Sequence, residues 1–518
     1  MPPAGGPGNG IPVIDTGLFS IRLLFPSVSA GERRGHARSP LAFFFNHGGD
    51  VASMTDLAFL SIARLSEMLD AAEIDAEALT RLFLDRAEGV GRELNCYITL
   101  CRETALTEAR AAKERIDAKR RRGTLDGIPV ALKDNIDVAG VPTSNGFGGA
   151  PYRVPAEDAE IVRRLRAAGA VILGKLNMHE GALGATNDNP HYGRALNPHL
   201  VGHSPGGSSG GSGAAVAAGL CCAALGTDTG GSVRIPASYC GVVGLKPSYG
   251  LISTRGVVPL SRRLDHVGPL TRTVADAAIM LDVLGGFDSR CPESRRGPDG
   301  RYDAVKPGRL DGVRLGVVGN FDAERVEPAV GAAFAAALEH LARLGAEIRT
   351  VHLPSYDVVK GRRAGFVRVE AEAAFVHGKL YREAPERLSP EMRSYLDYGA
   401  KLPATRLVAA DRCIAVAAFE LARCLEEVEA IVSPTAPQAA PAFGGPAPDN
   451  AGAFCIPANF AGCPAVSVPM GCNELGLPLG LQVIGAVHCD ARVLEIAASY
   501  EATAGLDREP PPLARFRS

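Results

Sequence analysis

The sequence predicts an α/β fold in which a central sheet is covered on both faces by helices. Three observations carry the prediction. A helix from about Ala159 to Ala168 is closed by Gly169 and runs into the strand AVILGK. The same grammar recurs later: the strand VRLGVVG at 313–319, a helix from about Pro328 to Leu344, Gly345, then the strand AEIRTVHL. Third, the chain spends 60 glycines and 37 prolines, which marks many turns and places of close backbone approach rather than a helical bundle.

In chain order, residues 1–53 open with PPAGGPGNG, carry the basic GERRGHARS and show no sustained period, so a disordered extension is expected there and a domain over 54–518. From Ser61 the pattern is helical, with Leu65, Met68 and Leu69 on one face. A second helix follows an N-cap at Asp75, with Leu79, Leu82 and Phe83 inward. After a polar helix around 105–122, GIPVALKDNIDV reads as a buried strand ending at Lys133 and running into a loop. Residues 202–232 form a Gly/Ser-rich centre. Residues 355–430 are mostly helical, and IVSPTAP at 431–437 and CPAVSVPM at 463–470 read as strands returning to the sheet. With no solenoid repeat and no linker inside 54–518, one domain is expected.

Composition narrows the function. A net charge of −2 with interleaved signs gives no electrostatic reason for nucleic acid or an anionic membrane as partner. Aromatics are 6% and Trp is absent, so the core must be aliphatic. None of the 12 cysteines sits in a C-x-x-C pair, and most lie in apolar runs such as GLCCAAL, which reads as buried thiols in a reducing compartment. The longest apolar run, 214–226, is short of the ~20 residues of a membrane helix, and the apolar stretch at Leu23–Phe25 lacks a basic leader. A cytoplasmic protein is expected.

The chemistry concentrates in GHSPGGSSGGSGAAVAAGLCCAALGTDTGGSVRIP at 202–236. Glycines beside a hydroxyl let main-chain N–H groups approach an oxygen unhindered, which suits a phosphate or the oxyanion of a tetrahedral intermediate. No Lys follows either cluster as a Walker loop requires, and Val216 stands where a dinucleotide fingerprint needs its third Gly. A flexible linker would not carry the apolar run between the clusters. An acyl-transfer site needs a nucleophile and a base: Ser208, Ser209, Ser212 and Ser232 are available. His203 has no evident carboxylate partner, so a Ser-Lys arrangement is the better fit. HEGAL at 179–183 is not a zinc motif, since Leu183 takes the second His position.

The block GGSSGGS at 206–212 and GTDTGGSVRIPASYCGVVGLKP at 226–247 strongly resemble the amidase signature family. So do GIPVALKDNIDV, ILGKLNMHE at 172–180, LDHVGPLTRTVADAA at 264–278, IPANFAGCPAVSVPM and GLPLGLQVIG. The resemblance spans about 54–505, in family order. It implies a single domain with a mixed, mostly parallel central sheet sandwiched between helices, and a serine amidase that needs no metal or cofactor. By the same resemblance Lys133 is the base, Ser208 the bridging serine on a cis peptide and Ser232 the nucleophile. The N–H groups of Thr229, Gly230, Gly231 and Ser232 then form the oxyanion hole. Asp228 and Arg234 are expected to support that loop, and Ala182 and Gly207 to contact substrate. Lys175, Lys246 and His266 are expected to be structural.

The implied activity is hydrolysis of a carboxamide through an acyl-Ser232 intermediate. The substrate is expected to be a small amide, apolar or aryl by the aromatics Phe366, Phe375, Tyr381 and Tyr395 in the variable helical stretch, and the protein a possible homodimer. The alternative is the amidase subunit of a glutamyl-tRNA amidotransferase, which shares the triad and works inside a complex. Gly206–Gly210 also matches the G-x-S-x-G elbow of α/β-hydrolases, which would make Ser208 the nucleophile but leaves the second Gly-Gly-Ser cluster unexplained.

Overall fold

A computed structural model describes residues 57–513, apart from 299–300, 320, 322–324 and 507–509. The expected extension over 1–53 lies outside the described residues. Residues 50–518 form one compact unit.

Eleven strands hydrogen-bond into one sheet among the described residues: β1 (Tyr97–Leu100), β2 (Pro129–Lys133), β3 (Val171–Leu176), β4 (Ala223–Asp228), β5 (Val243–Lys246), β6 (His266–Thr271), β7 (Arg314–Val318), β8 (Glu347–Val351), β9 (Ala430–Pro434), β10 (Ala465–Cys472) and β11 (Pro478–Gly485). Their order is β1-β3-β2-β4-β6-β5-β10-β11-β9-β7-β8. The two helix-Gly-strand units occupy opposite flanks. Helix α1 (Glu160–Ala167) leads through Gly169, at φ 84°, into β3, and α2 (Pro328–Arg343) joins β7 to β8. On these flanks β2 runs parallel to β3 and β4, and β7 runs parallel to β8 and β9.

The sheet is mixed, as expected, but not mostly parallel. Four strand pairings are parallel and six antiparallel among the described residues. The middle of the sheet is responsible. β10 and β11 are joined by the short turn 473–477, where Asn473 Oδ1 accepts the N–H groups of Leu475 and Leu477 and Gly476 sits at φ 74°. A connection of that length can only reverse the chain, so the pair must be antiparallel.

β2 reads Pro-Val-Ala-Leu-Lys and is buried along its whole length, because parallel neighbours flank it and helices cover both faces. That burial includes the terminal lysine. Helix α3 (Gly210–Ala217), GGSGAAVA, is buried throughout. Its small side chains let it lie almost in contact with other backbone: a Cβ at Gly211 would fall 2.4 Å from the carbonyl oxygen of Asn177. Three further helices, α4 (Val358–Glu383), α5 (Pro390–Ala400) and α6 (Ala404–Glu427), fill the expected helical stretch.

Candidate active site

The site lies where β2 and β4 end and the two Gly/Ser clusters begin. Lys133 closes β2 with its side chain fully buried. Its Nζ donates to Ser208 Oγ at 2.7 Å and to Thr227 Oγ1 at 2.8 Å. Burial pushes the amine down to about 7, and the negative charges of Asp265 and Asp228 keep it from falling further. A lysine that would be charged in water is therefore poised to be neutral near pH 7.

Ser208 follows a cis peptide bond from Gly207, as the resemblance implied. The other two serines of the first cluster are spent on structure: Ser209 Oγ donates to the Thr227 carbonyl at 3.2 Å, and Ser212 Oγ to that of Leu225 at 3.1 Å. The N–H of Ser209 in turn donates to the carbonyl of Ser232 at 3.3 Å, which ties the two clusters together. Ser232 is partly exposed and lines a cavity of about 710 Å³ that opens to solvent. The Lys133–Ser208 link is formed, whereas no hydrogen bond joins Ser208 Oγ to Ser232 Oγ among the described residues. Such contacts commonly close only when substrate is bound.

Asp228 and Arg234 form a two-pronged ion pair, Nε to Oδ2 at 3.0 Å and Nη2 to Oδ1 at 2.9 Å, with both side chains fully buried. Every remaining donor of the fork is used: Nη1 reaches the Cys455 carbonyl at 2.9 Å and Gln482 Oε1 at 2.7 Å, and Nη2 reaches Asn459 Oδ1 at 2.6 Å. Burial raises the Asp228 carboxyl, but the charge and hydrogen bonds of Arg234 outweigh it and hold the group well below the usual range. A buried pair so completely satisfied organises the loop around it.

This pair also engages one of the four N–H groups expected at the oxyanion. Asp228 Oδ1 accepts the N–H of Gly231 at 2.8 Å, and Oδ2 that of Val233 at 3.2 Å. Gly231, at φ 123°, turns its N–H back to the carboxylate, so that donor is engaged. The N–H groups of Thr229, Gly230 and Ser232 make no hydrogen bond among the described residues.

Ala182 and Gly207, expected to contact substrate, both line the cavity. Of the four aromatics singled out, only Phe366 does. Phe375 is 89% exposed, and Tyr381 and Tyr395 pack against an apolar cluster that includes Phe147 and Met392. The remaining walls come from distant segments, among them Ile235, Leu260, Ile456 and Phe460, with Arg362 and Asp449 as the charged lining residues. Lys175 is structural: it pairs with Asp134 at 3.1 Å, both buried. Lys246 donates to the carbonyls of Pro247 and Cys463. His266 Nδ1 lies 2.7 Å from the Leu264 carbonyl. Sequence reasoning passed over Thr227 and Asp265. Both sit inside the quoted motifs, but nothing in their local pattern signals what they touch.

The amidase family model matches residues 78–494. The chain is 38% identical over 470 residues to a glutamyl-tRNA(Gln) amidotransferase subunit of Methylococcus capsulatus, covering 85% of this chain and 96% of the relative. Among solved structures it resembles the peptide amidase of Stenotrophomonas maltophilia, with a TM-score of 0.77, 32% identity and coverage of 88% and 99% of the two chains. It also resembles a chain from a vestigial protein complex tied to the origins of an s-triazine catabolic enzyme, with a TM-score of 0.81, 33% identity and coverage of 86% and 99%. No described helix is long and apolar enough to cross a membrane.

Proposed function

Since the chain belongs to the amidase signature family and is an amide-hydrolysing enzyme, we propose that Ser232 is its nucleophile, activated through Ser208 by neutral Lys133. The observation that carries this is the 2.7 Å hydrogen bond from a fully buried amine to the hydroxyl of Ser208, whose neighbour Ser209 donates its N–H to the carbonyl of Ser232, the partly exposed serine of an open cavity. Ser208 gives its proton to Lys133 and takes that of Ser232 as Ser232 Oγ attacks the carbonyl. The N–H groups of Thr229, Gly230 and Ser232 hold the oxyanion. The relay then reverses to protonate the leaving nitrogen, and water releases the acyl group by the same route.

For the substrate, the relatives support the amidotransferase reading better than the apolar or aryl amide. In that reading the chain frees ammonia from the side-chain amide of glutamine, as one subunit of a glutamyl-tRNA amidotransferase-type complex, and its partner is a different protein rather than a second copy. Arg362 and Asp449, 3.4 Å apart on the cavity wall, suit the α-carboxylate and α-ammonium of such a substrate. A second reading rests on the rest of that wall. Leu183, Ile235, Leu264, Phe366, Ile456 and Phe460 offer an acyl pocket to an apolar or aryl amide cut by an independent enzyme, alone or as a homodimer.

The two separate cleanly. Ammonia release from glutamine and from alkyl and aryl amides is measured with the isolated chain, alongside its size in solution. Glutamine turnover with little hydrolysis of apolar amides supports the first reading. Fast cleavage of aryl or alkyl amides by the isolated chain, with glutamine inert, overturns it in favour of the second.

A further inference from the structure

The residue of greatest interest outside the relay is Asp265, one position before β6. β4 and β6 pair antiparallel with Asp228 opposite His266, so Thr229 and Asp265 face each other just past the end of the ladder. Asp265 is buried, and its two carboxylate oxygens hold two different segments. Oδ1 accepts the Thr229 hydroxyl at 2.6 Å, on the oxyanion loop. Oδ2 accepts the N–H groups of Leu260 at 2.9 Å and Ser261 at 3.0 Å, and Leu260 is a wall of the substrate cavity. Asp265 also shares a small cavity with Thr227, the residue whose hydroxyl accepts from Lys133 Nζ.

No lysine or arginine forms an ion pair with Asp265 among the described residues, although the group is buried. The titratable and charged groups around it are Arg262 and His266, which line the same small cavity, Glu372 from α4, the Lys133 amine and the Tyr249 phenol. Facing Lys133 are Asp265 and Asp228, and on the far side the ring of His179. Asp228 is committed to Arg234, whereas Asp265 forms no ion pair among the described residues.

We propose that Asp265 is a positioning residue for the hydrolysis: it locks the Thr229 end of the oxyanion loop to the cavity wall at Leu260, and it supplies the negative charge that faces the Lys133 amine as that amine takes up a proton. The inference rests on the Ser232–Ser208–Lys133 reading and adds a fourth group to it. Burial holds the Asp265 carboxyl up at about 6, so it is ionised where Lys133 is poised to act.

Asp265→Asn separates the two roles. An asparagine at 265 can present Oδ1 to the N–H groups of Leu260 and Ser261 and donate Nδ2–H to Thr229 Oγ1, so the clamp survives while the charge is lost. The probes are glutamine and p-nitrophenyl butyrate, whichever the chain turns over faster, and the reading is the pH profile of kcat/KM, which reports acylation. Without the carboxylate the lysinium form loses support, so the neutral amine persists to lower pH. The acid limb of D265N is expected to move down by about one pH unit, with the plateau about tenfold lower. Thr229→Val cuts the clamp and keeps the charge, so its plateau falls severalfold while its acid limb stays in place.

An unmoved acid limb in D265N overturns the electrostatic role, and a wild-type plateau in T229V overturns the clamp. Lys133→Ala and Ser232→Ala run beside them. If either of those retains wild-type turnover, the underlying reading fails instead, whatever Asp265 does.

Discussion

Two lysines stand fully buried at the ends of central strands, and they behave alike until their neighbours are considered. Lys133 ends β2 and Lys246 ends β5, and burial pushes each amine down to about 7. Lys133 meets two hydroxyls, those of Ser208 and Thr227. Lys246 meets two backbone carbonyls, of Pro247 and Cys463. A carbonyl can only accept a hydrogen bond, whereas a hydroxyl accepts one and passes a proton on. Desolvation therefore supplies a base at both strand ends, and the neighbouring group decides whether that base has work to do.

The largest expected effect tests this contrast directly. Lys133→Ala should lower amide turnover by roughly 10²–10⁴-fold, while Lys246→Met, once shown folded by circular dichroism, should stay within a few-fold of wild type. Equal losses in the two folded variants would break the comparison.

Next in size is pH. In the proposed relay Lys133 acts as the neutral amine, so kcat/KM should rise through about pH 7 and fall about tenfold for each unit below it. The Lys246→Met profile should overlay that of wild type.

Stability sharpens the contrast from the other side. The folded pKa of Lys246 lies below its unfolded value of about 10.4. Between the two the unfolded chain holds a proton that the folded chain lacks, so raising pH favours folding. Below about 7 both states are charged and above 10.4 both are neutral, so the slope vanishes at each end. Denaturant unfolding should show wild type gaining about 1.4 kcal/mol per pH unit over Lys246→Met between these limits.

The smallest effect concerns the pocket. Phe366→Ala should change KM for an apolar substrate a few-fold, and Phe375→Ala, whose ring faces solvent, should change nothing measurable.

The features legible in the amino-acid order were local ones. The strand ending in Lys133, the helix-Gly-strand units and the Asp75 N-cap all appear where expected, because backbone propensity and burial periodicity act over a few residues. The paired Gly/Ser clusters were legible for the same reason. Less legible were features that depend on direction or partner. The Gly231 N–H was expected at the oxyanion, yet it turns to Asp228, since φ at a glycine is not constrained by its own side chain. Of the six antiparallel pairings only β10–β11 is set by a local turn, 473–477; the others depend on where distant strands return to the sheet.

The sequence by itself determined the chemistry available here: a lysine at the end of an apolar strand, hydroxyls among glycines, and a family pattern that orders them. Tertiary structure alone decided which of three buried lysines touches a serine, which of four aromatics reaches the cavity, and that Asp265 bridges the Thr229 loop to the pocket wall. The physical reason is range. Desolvation and backbone freedom follow from neighbours in the chain, whereas the hydrogen-bond partners of Lys133 lie 75 and 94 residues away and the Thr229 partner of Asp265 lies 36 away.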